Sequence, residues 1–132
     1  MTFQVEKTQI AFSTAVIESI KNTIGATNIE TGGILGQLGK QVDQFVFDPG
    51  LVSLRDEYIP NVEILNQTLV EWQRQGILFA GLIHSHQCRS KLSYADLEYA
   101  KAILQTTHIM SVYMHLFILG DSSIVSYMIS SI

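Results

Sequence analysis

The sequence predicts an α/β domain: a single mixed β-sheet with helices packed against it. Short apolar, β-prone runs alternate with longer segments whose apolar residues recur at helical spacing. The run at residues 77–83 is almost wholly apolar and is bounded by polar residues, the pattern of a buried central strand. The 132 residues are one domain's length, and no repeat, low-complexity segment or linker divides them.

In chain order, residues 3–6 alternate and read as a short edge strand. From Thr8, the apolar Ile10, Phe12, Val16, Ile17 and Ile20 oppose the polar Ser13, Glu18 and Lys21. This describes an amphipathic helix, with Thr8 the expected N-cap and Gly25 its C-terminal stop. Glu30-Thr31-Gly32-Gly33-Ile34-Leu35-Gly36 opens a strand whose glycines allow close backbone approach. Gly39-Lys40 turns the chain into residues 41–47, the second strand of a hairpin, and Asp48-Pro49-Gly50 is a turn. A further strand is expected at 51–54 and a loop at 55–59. Pro60 is expected in the first turn of a helix marked by Val62, Leu65, Leu69 and Trp72 and ended by Gly76. Beyond the central strand, Ser93 is the expected N-cap of a helix reaching about Gln105, with Leu97, Ala100, Ile103 and Leu104 on its apolar face. Residues 112–119 and 124–129 form two strands joined by Gly120-Asp121-Ser122.

The composition limits the function. Apolar residues make up 47% of the chain, which excludes a disordered tail, and the net charge of −4 carries no basic cluster to hold nucleic acid. One cysteine excludes an internal disulfide framework and fits a reducing compartment. No signal-peptide pattern and no apolar run near 18 residues is present. A soluble cytoplasmic protein is expected, with neither nucleic acid nor a membrane as partner.

The chemistry gathers at the end of the central strand. Side chains alternate along a strand, so His84 and His86 point to the same side, at the carboxyl end where open α/β sheets bind ligands. Asp96 lies in the first turn of the next helix. Two imidazoles and a carboxylate can converge on one point, and three protein ligands with a fourth position left to water describe a catalytic zinc site. Each piece also has a plain structural explanation. A His pair on a strand can be structural, Ser-x-x-Asp resembles a capping box, and Glu30 alone would be a surface carboxylate.

The combination resembles the JAMM signature of the MPN-plus metalloproteases. In that family a Glu is followed far downstream by His-(Ser/Thr)-His and then Ser-x-x-Asp, as Glu30, His84-Ser85-His86 and Ser93 to Asp96 are here. Gln87 stands where the family usually has Pro, and the loop from His86 to Ser93 is one residue shorter than the common spacing. The resemblance implies the MPN fold, with layering like that of cytidine deaminases, in a compact, bacterial-type member. It implies zinc held by His84, His86 and Asp96, Glu30 as general base and then acid, and Ser93 donating to the oxyanion. The implied reaction is that of a zinc peptidase or isopeptidase acting on an amide in an extended tail, of a ubiquitin-like protein or a peptide conjugate. Such a tail is expected to enter along a sheet edge. The alternative is a non-catalytic MPN-type interaction module. A deaminase-like hydrolase would use a Cys-x-x-Cys pair, which one cysteine cannot supply.

Among the other candidates, Cys88 reads as an exposed loop thiol or as a thiolate at the open zinc position. His108 and His115 read as structural and Trp72 as core, while Tyr58, Ile59 and Pro60 could border a substrate groove.

Overall fold

The apolar run at 77–83 is the middle of the sheet. The computed structural model describes residues 2–51 and 57–132. The strands are β1 (Phe3–Thr8), β2 (Gly32–Gln37), β3 (Gln44–Asp48), β4 (Leu78–His86), β5 (Ser111–Ile118) and β6 (Ser123–Ser131). The helices are α1 (Thr14–Thr23), α2 (Val62–Gln75) and α3 (Tyr94–Thr107), with one 3₁₀ turn at Ile24–Ala26. The six strands form one sheet in the order β1-β6-β5-β4-β2-β3. Only the β4–β5 pair is parallel among these, so the sheet is mixed, as expected. The strand expected at 51–54 falls almost wholly outside the described residues.

The two faces of the sheet carry two cores. On one face, Ile34, Leu82, Met114 and Ile129 pack with Leu65 and Trp72 of α2 and Ala100 and Leu104 of α3. On the other, Leu35, Ile83 and Phe117 pack with Val16, Ile20 and Ile24 from α1 and the turn after it. Neighbouring strand residues alternate between these cores, as the pleat requires. A β-bulge breaks the alternation in β4, where Gly36 opposes Phe79 but Leu35 opposes Gly81. Gly81 has φ 111°, and a Cβ there would lie 2.4 Å from the Tyr113 carbonyl oxygen, so the bulge needs glycine. The extra residue resets the phase: Phe79 and Leu82 both face α2 and α3, whereas Ala80 and Ile83 face α1. His84 and His86 therefore share the face on which α3 lies.

Three local expectations are corrected. Thr8 does not cap α1. It ends β1, paired with Ser126, and the cap is Ser13, whose side chain accepts from Val16 N at 3.1 Å. Residues 9–13 instead cross to the outer half of the sheet, where Phe12 bridges to Val42. Gly25 is not a left-handed stop, since the chain passes into the 3₁₀ turn, and its Cβ position lies 3.1 Å from the Phe117 ring. Pro60 stands one residue before the cap of α2, Asn61, so it precedes the first turn. The caps at Gly76 and Ser93 fall where expected, and α3 runs on to Thr107 with His108 as its left-handed C-cap.

Candidate metal centre

The carboxyl end of β4 and the first turn of α3 meet at one point. His84 Nε2 lies 2.9 Å from Asp96 Oδ1, His86 Nε2 lies 3.1 Å from Asp96 Oδ2, and the two Nε2 atoms are 3.2 Å apart. Both imidazoles are buried. The shorter loop between His86 and Ser93 does not keep Asp96 from either histidine.

Capping and convergence are not alternatives for Asp96. Its Oδ2 accepts from Ser93 N at 2.8 Å, and its own amide donates to Ser93 Oγ at 3.1 Å, a reciprocal capping box. That lock leaves both carboxylate oxygens within reach of the histidines. Burial works to raise the Asp96 pKa, but its contacts with His84 and His86 and the Ser93 amide outweigh it and hold the group well below the usual carboxylate range.

Hydrogen-bond accounting at His86 identifies its tautomer. Nδ1 lies 3.0 Å from the Arg89 carbonyl oxygen, which can only accept, so Nδ1 carries the proton and donates. In the neutral ring Nε2 then presents a bare lone pair to a carboxylate and to a second imidazole. Such acceptors repel one another unless a proton or a metal cation lies among them. A carbonyl on the far nitrogen is also the usual outer partner of a metal-bound histidine. Burial lowers the His86 pKa, but Asp96, the Arg89 carbonyl and the charge of Glu30 raise it further, so the net shift is upward.

The dimensions suit a small tetrahedral ion. Donors bonded at about 2.0–2.1 Å with tetrahedral angles lie roughly 3.3 Å apart; the two Nε2 atoms are 3.2 Å apart, and one ligand atom from each of the three residues lies within 4.8 Å of the others. Two nitrogens and one oxygen fit zinc and also other divalent first-row ions. His84, His86 and Asp96 can thus bind a metal ion.

Ser85 alternates to the opposite face and ties in the loop that carries Glu30. Its amide donates to Thr31 O at 2.8 Å, and its Oγ accepts from Thr31 N at 3.0 Å. Glu30, 8% exposed, thereby lines the same cavity of about 360 Å³ as His84, His86, Ser93 and Asp96. Every expected site residue is brought to that cavity. Cys88 is exposed on its wall, and no thiol–metal geometry is implied. A second cavity of about 200 Å³ adjoins the first, with Tyr58, Ile59 and Pro60 in its lining. β4 is paired on both sides, so an incoming chain cannot extend the strand that bears the histidines. The open edge of that half is β3, beyond β2.

Sequence reasoning missed Asp48 and the Arg89 carbonyl. Asp48 reads as a turn residue, yet it is fully buried and accepts from Gly50 N (2.8 Å), Tyr58 Oη (2.6 Å) and Asn61 N (2.9 Å). Tyr58 stacks on His84, with ring centroids 5.8 Å apart and planes at 16°. Burial first, then Asp48, pushes the Tyr58 phenol far above its ordinary pKa, so it remains a donor. The bonds from Asp48 to Tyr58 and Asn61 reach across a loop that no local pattern marks, and the Arg89 contact is made by a backbone carbonyl, which residue type does not reveal.

No family model and no curated protein matches the chain. Among solved structures it is similar to the solution structure of protein DSY2949 from Desulfitobacterium hafniense, a structural genomics target. The TM-score is 0.63 at 18% identity, over 89% of this chain and 81% of that one. A likeness at that identity speaks for the α/β fold alone. Among the described residues no helix is long and apolar enough to cross a membrane.

Proposed function

We propose that the protein is a zinc metallopeptidase of the JAMM type that hydrolyses an amide bond in an extended tail. The observation that carries the reading is the convergence of His84 Nε2, His86 Nε2 and the Asp96 carboxylate, with the His86 lone pair aimed inward by the Arg89 carbonyl. Zinc bound there would supply Lewis acidity, activating a water near neutral pH and polarising a carbonyl. Glu30, on the wall of the same cavity, takes the attacking water's proton and returns it to the departing amine. Ser93 Oγ accepts from Asp96 N, which leaves its hydroxyl proton for the carbonyl oxygen as negative charge develops. The substrate class, a peptide conjugate or the tail of a ubiquitin-like protein, rests on the resemblance of the motif. A cytoplasmic setting fits the single cysteine.

The test is zinc content and turnover on one peptide-amide substrate. Glu30→Gln keeps size and polarity and removes the base, so it should retain zinc while turnover falls about 10²–10⁴-fold. His86→Ala should lose zinc and turnover together. Full turnover in Glu30→Gln would refute the mechanism. A wild type that binds zinc yet leaves every amide intact would favour the interaction module.

A further inference from the structure

The geometry points to Tyr58 as a positioning residue of the metal centre, anchored by Asp48 and acting through the ring of His84. The inference rests on the metal-binding reading of His84, His86 and Asp96. It comes from a row of residues across three strands. In the ladder, Gly32 of β2 lies opposite His84 of β4 on one side and opposite Asp48 of β3 on the other. Cross-strand partners share a face, so the row reads His84, Gly32, Asp48 with no side chain at its centre.

Tyr58 fills that gap from above. A Cβ on Gly32 would lie 2.7 Å from Tyr58 Cζ and 2.8 Å from Cε2, so the ring occupies the space a side chain would need. At one end its hydroxyl donates to Asp48 Oδ2 at 2.6 Å. At the other its ring lies beside the His84 imidazole in an offset stack, nearly parallel to it, with centroids 5.8 Å apart. Asp48 is itself immobilised, because its two oxygens also accept the Gly50 and Asn61 amides. Gly50 and Asn61, on either side of Tyr58 in the chain, thus both bond to one buried carboxylate, and Leu51 N donates to Ile59 O at 3.0 Å. The phenol ring thus bounds one side of the His84 imidazole. Nε2 is kept on the line to Asp96 Oδ1 and His86 Nε2, and the ring need not be reoriented when a metal binds. Loss of such outer support typically weakens metal binding about 10–100-fold.

Two variants separate the ring from its anchor. Tyr58→Phe keeps the stack and loses the bond to Asp48, whereas Tyr58→Leu loses both. Zinc affinity is measured by chelator competition, and the ligand field by the visible absorption of the cobalt(II)-loaded protein. Thermal unfolding of each metal-free protein reports on folding separately. Zinc affinity should fall about tenfold in Tyr58→Leu, with an altered cobalt spectrum, while Tyr58→Phe stays closer to wild type on both. If Tyr58→Leu only lowers the unfolding temperature and leaves affinity and spectrum as in wild type, Tyr58 is structural and the inference fails. It fails equally if Tyr58→Phe is as impaired as Tyr58→Leu, since stacking on His84 would then have no effect of its own on the metal. A wild type that binds neither metal would instead overturn the metal centre itself.

Discussion

The chain has two regions of buried histidine, and they differ in one respect. His115, in the middle of β5, is fully buried and satisfied by protein alone. Its Nε2 lies 3.0 Å from the Ala80 carbonyl and must donate, which leaves Nδ1 to accept from Ser126 Oγ at 2.8 Å. Phe12 packs edge-on against its ring. Every polar atom has a partner of the opposite kind, and the neutral ring is at rest. At the end of β4, His86 Nε2 instead faces the Asp96 carboxylate, which can only accept, and the His84 imidazole. Burial is common to both regions and so does not mark a ligand. What distinguishes the second region is a lone pair, oriented by a donor bond on the far nitrogen, that faces a carboxylate and calls for a proton or a metal cation between them.

Substitution at each region is the most direct way to break this comparison. His86→Ala should abolish stoichiometric zinc binding, while His115→Gln should leave it intact, as read by metal analysis after dialysis. Zinc loss in His115→Gln with the fold retained would erase the distinction. A smaller effect is expected from metal on stability. Saturating zinc at about 100-fold its Kd adds roughly 2.7 kcal/mol, a rise of order 10 °C in Tm for a domain of this size. Calorimetry with and without chelator checks it, and His86→Ala should show no shift.

A third effect is a pH slope in the metal-free protein. Burial depresses the His115 pKa from 6.5 to about 4, so the folded state resists protonation that the unfolded state accepts. Stability from this group is therefore complete above pH 6.5 and is lost as pH falls towards 4, at up to about 1.4 kcal/mol per pH unit. The raised His86 contributes a constant amount in that window, because its stabilisation is lost only as pH rises above 6.5. The depressed Asp96 contributes its loss only below 3.8. Denaturant titrations between pH 4 and 6.5 should show the slope in wild type and a flatter one in His115→Gln. An equal slope in both would place the acid sensitivity elsewhere.

Local residue patterns are enough to place the strand that carries the site, the helix that answers it, and the residues that meet there. An apolar run ending in His-x-His puts two imidazoles on one face at a strand's end, and Ser-x-x-Asp starts a helix with its carboxylate in the first turn. These patterns span few residues, and alternation and capping act over that distance. Which face of the sheet the histidines take is set by the folded sheet, through a bulge at Gly81 whose φ of 111° no periodicity reveals. Only the fold shows that α1 begins at Thr14, because Thr8 is claimed by the β6 ladder. Only it joined Asp48, Gly32 and His84 beneath Tyr58, since sheet register sets that row. The partners come from distant parts of the chain, so no local propensity encodes their meeting.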